Sequence, residues 1–232
     1  MLIKKNQIGT MVPPIKWHEQ LSDKGFAVID NFLPEVSANA LRNNILKQRH
    51  HRAWCLLTTP YRPLASIKDD INKPYIDKLR HKQAAVAYRR KQFSFSFYRS
   101  ANKHQKSHDN QKIMAPFLTQ LKQRARAELG VSGELTDAFF ASFVKGQFIS
   151  YHTDGKAGQF AFIYQLSKGW QRKNGGQLVL YPKQGSRFYQ KIIEPRFNTL
   201  VLLKLDHPMP HKVIPLNTKS YQHRITISGW LK

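Results

Sequence analysis

The chain has 232 residues, 41% of them hydrophobic, and its 38 Lys and Arg against 14 Asp and Glu give a formal net charge of +24. This length and composition predict a folded domain with a sizeable core and exclude a wholly disordered chain. The single cysteine, Cys55, excludes an intramolecular disulfide. Because we find neither a signal-peptide core nor an apolar stretch long enough for a membrane span, we expect no membrane insertion and a cytoplasmic location.

The N-terminal segment predicts a helix, a strand and a second helix. Residues Ile15 to Leu21 predict a short helix, and the apolar run Gly25 to Asp30 predicts a strand. From Pro34 to about Gln48, apolar residues recur at helical spacing. We expect this entry to be scaffold that braces the rest of the domain.

A basic, turn-rich segment follows. Residues Thr58 to Ala87 alternate turn signals and charges, and Arg89-Arg90-Lys91 extends the positive charge. Two interpretations stay open, namely a solvent-exposed connector and a loop that covers an active site and contacts substrate. Phe93 to Tyr98 then alternates aromatic and polar residues. A surface that stacks single-stranded nucleic acid has this pattern, but so does a half-buried barrel strand, which we favour.

The C-terminal half predicts mainly strands. Ser100 to Gln111 is polar and predicts a loop, and Ala115 to Leu129 predicts an amphipathic helix that Gly130 ends. From Phe139 onward, short apolar strands recur between Gly and Pro turns. This spacing predicts a sandwich or jelly-roll barrel, with the N-terminal helices covering one sheet.

Three residues in this half suggest a metal site. His152 and Asp154 are two residues apart after an apolar run, so on a strand both side chains point to the same face. His211 precedes another strand pattern much later in the chain. Two imidazoles and one carboxylate on one side of a metal form the facial triad of non-haem Fe(II) oxygenases. The H-x-D spacing alone is weak, because isolated histidines are common at surfaces and in cores.

A strand pattern near the C-terminus strengthens this interpretation. Arg224, Thr226, Ser228 and Trp230 share one face of the run from 224 to 230. A guanidinium flanked by hydroxyls suits a carboxylate that is bound through both oxygens. The open side of the metal would then take the other end of a dicarboxylate.

These pieces resemble the Fe(II)/2-oxoglutarate-dependent dioxygenase superfamily, nearest to its prolyl-hydroxylase-like branch. The resemblance covers Gly25 to Trp230 and is densest from Phe143 onward. In chain order the motif pieces are Phe143, Gly146, His152 and Asp154, then Ile163 to Leu166 and Trp170, Gly175 to Tyr181, Ile193-Glu194-Pro195, Pro210 to Pro215, and Arg224 with Ser228 and Trp230.

The resemblance implies a mainly β fold with α-helices, a double-stranded β-helix (a jelly-roll or cupin-like barrel) braced by N-terminal helices. It implies a single domain over 1–232, with 15–138 as support and substrate loop and 139–232 as the catalytic barrel core. It also implies Fe(II) held by His152, Asp154 and His211, with 2-oxoglutarate and O2 as cosubstrates and ascorbate as a candidate reductant. The cosubstrate would contact Arg224, Ser228, Gln165 and Trp230.

The chain departs from the family pattern at several positions. Phe143 stands where relatives often carry a tyrosine that helps to hold the cosubstrate, and Gln165 stands at a second tyrosine position. An amide can still bind a carboxylate, whereas Tyr164 alternates to the other face. The long connection before Arg224 leaves open whether Arg224 or His223 points inward, and the phase of Ser228 favours Arg224.

The function that the resemblance implies is hydroxylation of a C–H bond, and we expect a prolyl residue of a protein. The alternatives are hydroxylation of a free amino acid, small metabolite or lipid, and nucleic-acid demethylation, which would exploit the charge. A non-enzymatic basic binding module on an inactive barrel is a further alternative, against which the intact triad argues. The charge of +24 predicts an acidic protein substrate, for example a translation factor, ahead of nucleic acid.

Overall fold

A computed structural model describes residues 16–47, 51–57, 78–100, 106–155, 157–182, 190–219 and 222–232, and for 51–57, 78–80, 106–109 and 137 it describes the backbone. The described helices are α1 (Trp17–Lys24), α2 (Glu35–Lys47), α3 (Lys78–Arg89) and α4 (Lys106–Leu129). The described strands are β1 (Phe26–Ile29), β2 (His51–Leu57), β3 (Ser94–Ser100), β4 (Leu135–Phe143), β5 (Phe148–His152), β6 (Phe160–Gln165), β7 (Leu178–Leu180), β8 (Lys191–Ile193), β9 (Thr199–Lys204), β10 (His211–Val213) and β11 (Arg224–Leu231).

The strands form one antiparallel sheet that curls back on itself. Ten strands follow the path β1-β9-β6-β11-β4-β3-β5-β10-β7-β8, and β2 pairs with β3. The corner is β3, whose C-terminal half pairs with β4 and whose N-terminal half pairs with β5. Because the strand bends between two partners, the two ends of the sheet face one another.

Strand alternation divides the apolar side chains between two cores. The inner core lies between the facing halves of the sheet and includes Phe26, Phe97, Phe139, Phe143, Leu178, Val201, Leu203 and Val213. The outer core lies between the sheet and α1, α2 and α4 and includes Trp17, Leu41, Phe117, Phe140, Phe162, Tyr164, Ile225 and Ile227. The Phe117 ring stacks on the Tyr164 ring at a centroid distance of 4.5 Å. The helices cover the outer face of β6, β9 and β11, and the inner face of these strands lines the barrel.

The prediction of a mainly β, jelly-roll-like fold with N-terminal helices is confirmed. One local prediction is wrong: α4 begins at Lys106, so residues 106–111 are helical rather than loop. Pro116 lies inside α4, although proline is usually confined to the first turn of a helix. The turn-rich segment is helical from Lys78, and residues 58–77 lie outside the described ranges.

Candidate active site

The position of His152 depends on a bulge in β5. His152 pairs with His211, but Ile149 pairs with Val213, so β5 has one more residue between these pairs than β10. This extra residue is a β-bulge, which changes the phase of the side chains. Both Ile149 and His152 therefore face the barrel interior. The sequence placed His152 and Asp154 on one strand, whereas β5 ends at His152 and Asp154 lies in the loop that follows.

The three predicted ligand residues come together at this end of the barrel, which we call the triad end. Asp154 Oδ1 lies 3.6 Å from His152 Nε2 and 3.8 Å from His211 Nε2. One ligand atom from each residue lies within 4.8 Å of the others. These separations exceed a hydrogen bond but suit three ligands that converge on one ion.

Hydrogen bonds orient both imidazoles. Nδ1 of His152 lies 2.9 Å from the carbonyl oxygen of Ser150, and Nδ1 of His211 lies 2.9 Å from that of Met209. A carbonyl can only accept, so both Nδ1 atoms carry the proton and both Nε2 lone pairs face Asp154. Burial, with a smaller contribution from His211, lowers the pKa of His152 to about 4. At neutral pH the His152 ring is therefore neutral, as a metal ligand must be.

A row of rings, which we call the aromatic wall, extends from the triad end into the barrel. Its members are Phe93, Phe95, Phe97 and Phe143, with centroids 5.8, 5.4 and 5.0 Å apart in that order. Phe93 lies 5.4 Å from the His152 ring, and the Phe143 ring lies 4.9 Å below the Arg224 guanidinium. The alternating aromatic residues of β3 thus line the barrel interior, as favoured from the sequence.

Arg224 lies at the other end of this wall, which we call the arginine end. It starts β11 opposite Phe143 and is 2% exposed. Its Nε and Nη2 atoms have no hydrogen-bond partner among the described residues. Burial lowers the pKa of Arg224 to about 9. A desolvated guanidinium without a counter-charge favours binding of an anion. His223 instead contacts Ser142 Oγ at 3.0 Å on the opposite face of the sheet.

Two glycines let the loop before β7 pack closely, Gly176 against Arg224 and Gly175 against the backbone of Pro215. Gly176 has φ of +72°, and a Cβ there would lie 3.1 Å from Arg224 Cδ and 3.2 Å from Trp170 Cζ2. Gly175 has φ of +69°, and its Cβ would lie 2.2 Å from the carbonyl oxygen of Pro215. A side chain at either position would displace the loop or Arg224. The sequence showed this glycine pair as a motif piece, but only the structure shows what it accommodates.

A second unpartnered polar group lies near Arg224. Gln165 is fully buried, and neither its Nε2 nor its Oε1 has a partner among the described residues. It pairs across strands with Thr226, two residues along β11 from Arg224. Tyr164 points to the outer core, where its hydroxyl donates to Asn198 Oδ1 at 2.6 Å. The inner face of β6 thus presents an unpartnered amide one strand away from the start of β11, where Arg224 lies.

Ser228 and Trp230 share the inner face with Arg224 but lie further along β11. Trp230 lies six positions after Arg224, which is about 20 Å of extended strand. A Cβ at Gly158, in the loop after Asp154, would lie 3.1 Å from Trp230 Cβ. Trp230 is therefore at the triad end, and one carboxylate cannot contact both Trp230 and Arg224. Ser228 lies between them, with its Oγ 3.4 Å from Thr226 Oγ1.

Comparison with known proteins identifies a family that matches this part of the chain. Residues 138–232 match the model of the 2OG-Fe(II) oxygenase superfamily, and this stretch contains the triad and Arg224. Residues 138–232 form a 2OG-Fe(II) oxygenase domain. The chain is accordingly a 2-oxoglutarate-dependent dioxygenase, as its sequence predicted. A search of curated proteins found no significant match.

The oxygenase has the fold of prolyl hydroxylases. It aligns with a Pseudomonas putida prolyl-4-hydroxylase at a TM-score of 0.57 and 18% identity, over 92% of this chain and 95% of that one. It aligns with a Trichoplax adhaerens prolyl hydroxylase, solved with a peptide fragment of the hypoxia inducible factor oxygen degradation domain, at a TM-score of 0.59 and 20% identity, over 93% and 87% of the two chains. A Burkholderia pseudomallei 2OG-Fe(II) oxygenase family protein aligns at a TM-score of 0.56 and 13% identity, over 97% and 92%.

The residues of the oxygenase fit the groups that its family implies, which are Fe(II), 2-oxoglutarate and O2. The triad offers two neutral imidazoles and a carboxylate, the donor set for Fe(II). The unpartnered guanidinium of Arg224 is a complement for a carboxylate. In the described residues, no helix is long and apolar enough to cross a membrane.

Proposed function

We propose that the oxygenase hydroxylates a prolyl residue of a protein substrate, using Fe(II) and 2-oxoglutarate. The observation that carries the proposal is the pairing of two sites on one barrel interior. A His-Asp-His cluster lies at the triad end, and a buried, unpartnered Arg224 lies at the arginine end, with the aromatic wall between them.

Each residue has a defined part in this proposal. His152, Asp154 and His211 would hold Fe(II) through two imidazole nitrogens and one carboxylate oxygen. Arg224 pairs with the distal carboxylate of 2-oxoglutarate, and Gln165 donates or accepts beside it. When bound, Fe(II), 2-oxoglutarate and O2 supply the oxidising power that hydroxylates a C–H bond and releases succinate and CO2. The aromatic wall excludes water from the space between the two sites.

We also propose that the strands form a double-stranded β-helix. The order of β4 to β11, with β9-β6-β11-β4 on one side and β5-β10-β7-β8 on the other, supports a double-stranded β-helix. In this proposal the chain acts as one domain, in which residues 139–232 supply the catalytic barrel and 15–138 supply support and substrate contacts. Ascorbate as reductant and a cytoplasmic location stay predictions. Ser228 and Trp230 also stay predicted contacts of 2-oxoglutarate.

The prolyl substrate rests on two supports. The fold is similar to prolyl hydroxylases, one of them solved with a peptide fragment. The net charge of +24 supports an acidic protein as the substrate, because opposite charge speeds encounter.

The test is succinate release from 2-oxoglutarate by the Fe(II)-loaded protein, with and without a panel of proline-containing peptides, free amino acids and methylated oligonucleotides. We expect a proline peptide to stimulate succinate release and to gain one oxygen atom by mass spectrometry. Stimulation by methylated oligonucleotides alone would identify a demethylase instead. Absence of succinate under every condition would contradict the dioxygenase chemistry itself.

A further inference from the structure

The exposed end of α3 lies beside the candidate metal site. Phe93 follows α3, and its ring lies 5.4 Å from the ring of His152. The Phe93 side chain is 37% exposed, whereas Phe97, further along the same wall, is 7% exposed. Phe93 is therefore the solvent-exposed end of the aromatic wall, and it lies at the triad end.

Three consecutive cations precede Phe93. Arg89, Arg90 and Lys91 are all exposed. None of them makes an ion pair within the described part of the chain. Residues 78–100 contain seven Lys and Arg and no Asp or Glu. No neighbour in sequence therefore neutralises this charge, and we call Arg89, Arg90, Lys91 and Phe93 the basic rim.

The backbone holds the basic rim in a fixed shape. The Gln92 amide donates to the Ala87 carbonyl and the Lys91 amide donates to the Tyr88 carbonyl, both at 3.0 Å, which is a Schellman motif. Lys91 has φ of +59°, a conformation in which glycine is the usual residue. The Tyr88 ring, 4.6 Å from the Phe148 ring, anchors this end of α3 on β5. A lysine with positive φ, two residues before the ring that contacts His152, is an outlier that a binding role would explain.

We propose that the basic rim docks the substrate and selects a peptide segment with acidic residues beside the residue that is hydroxylated. This inference rests on the proposed hydroxylase function and locates its substrate recognition. Phe93 packs against the peptide next to the reacting residue. Arg89, Arg90 and Lys91 attract carboxylates on the flanking residues, and the fixed turn reduces the ordering cost of binding.

The rim favours a peptide over nucleic acid. Binding of single-stranded nucleic acid typically uses several exposed rings on which successive bases stack. On β3 the other two aromatic residues of the wall, Phe95 and Phe97, face the barrel interior, so the rim offers one exposed ring. One ring beside three cations suits a short acidic segment whose reacting side chain enters the site.

The test measures binding rather than turnover. Fluorescence anisotropy would follow short labelled peptides with a central proline flanked by Glu, by Gln or by Lys, and a labelled single-stranded RNA, against the full chain. A triple variant, R89E/R90E/K91E, reverses the charge of the three cations in the basic rim. The matched control K168E/R172E/K173E reverses three exposed cations in the loop next to Gly175 at the arginine end, with the same change in net charge.

We expect the Glu-flanked peptide to bind best, and the rim triple variant to lose roughly tenfold in its affinity while the control loses little. Lys91→Gly removes one charge and relieves the turn, so it should weaken acidic-peptide binding without lowering the melting temperature. Each variant is also checked for bound Fe(II) and for stabilisation by 2-oxoglutarate.

Three results would overturn the rim proposal. They are equal binding of the Glu, Gln and Lys peptides, equal losses in the rim and control variants, and tighter binding of the RNA than of every peptide. If wild-type protein releases succinate but shows any of these results, the rim proposal fails and the hydroxylase proposal stands. If wild-type protein releases no succinate, the hydroxylase proposal fails first.

Discussion

Gly176 lies directly against the aliphatic part of Arg224: a Cβ atom at residue 176 would be 3.1 Å from Arg224 Cδ. The glycine has φ of +72°, so this position requires both the backbone conformation that glycine adopts easily and the absence of a side chain. The candidate cosubstrate site therefore depends on a residue that carries no functional group. This contact leads to the first prediction.

Gly176→Ala should weaken 2-oxoglutarate binding and leave Fe(II) affinity unchanged. The new methyl group pushes Arg224 from its position, and the left-handed backbone conformation costs about 1–2 kcal/mol of stability. Titration calorimetry of 2-oxoglutarate and urea unfolding would measure the two effects. The control is Gly130→Ala, because Gly130 has φ of +67° and nothing lies within 4 Å of its Cβ position. It should lose similar stability and bind 2-oxoglutarate normally, and equal affinity losses in both variants would contradict the contact.

Arg224→Met should separate stability from cosubstrate binding. The substitution removes a buried charge that has no partner among the described residues, so the ligand-free protein should be at least as stable as wild type. Loss of a charge-assisted pair should reduce 2-oxoglutarate affinity roughly a hundredfold. Thermal unfolding with and without 2-oxoglutarate would show both effects. An unchanged 2-oxoglutarate affinity would mean that another cation, such as Lys204 or Lys212, binds the acid.

Neighbouring residues on β6 should behave in opposite ways. Gln165→Leu removes a buried, unpartnered amide, so it should lower 2-oxoglutarate affinity with little loss of stability. Tyr164→Phe removes the hydrogen bond to Asn198 in the outer core, so it should cost about 1 kcal/mol of stability and leave 2-oxoglutarate binding intact. Parallel binding and unfolding measurements test the pair. If Tyr164→Phe instead impaired 2-oxoglutarate binding, the assigned facing of β6 would be wrong.

His152→Ala and Asp154→Ala should each abolish Fe(II) binding and succinate release together. Each removes one of three ligands whose atoms lie within 4.8 Å of one another. Metal analysis after dialysis against Fe(II) gives the readout without reference to turnover. His207→Ala is the control, since His207 is exposed and pairs with Asp206 outside the triad. Full succinate release by either triad variant would show that the metal is held elsewhere.

The protein should lose stability as the pH falls below about 6.5. Burial lowers the pKa values of His81, His152 and His223 from the ordinary value of 6.5. The unfolded chain therefore binds protons that the folded chain does not, and folding weakens as the pH drops toward the folded-state pKa values. His81, which contacts Ser96 Oγ at 2.9 Å, lies away from the triad and can be tested alone.

His81→Gln should make the fall in stability between about pH 7 and pH 5 shallower, as measured by urea unfolding at each pH. His18→Gln, at an exposed position, serves as the control and should leave the slope as in wild type. If the wild-type and His81→Gln slopes coincide, burial of His81 has no part in the acid sensitivity.

The sequence by itself determined which functional side chains this protein has and which ligands they suit. Residue types and order, from His152 and Asp154 to His211 and Arg224, indicated a metal and a dicarboxylate, and alternating apolar runs indicated a jelly-roll-like fold. These patterns can be recognised in the sequence because the face to which a side chain points depends only on its position along the strand. The start of α4 was misplaced because residues 106–111 are polar, and a sequence indicates a helix mainly through apolar residues that recur at helical spacing.

Only the tertiary structure decided how far apart these residues lie. Sequence phase put Arg224 and Trp230 on one face, but the length of β11 puts them at opposite ends of the barrel. The bulge in β5, the space that Gly176 leaves for Arg224, and the placement of the α3 end beside His152 all depend on contacts between segments distant in the chain. Strand register and curvature are set by packing across the whole sheet, so no local pattern encodes them.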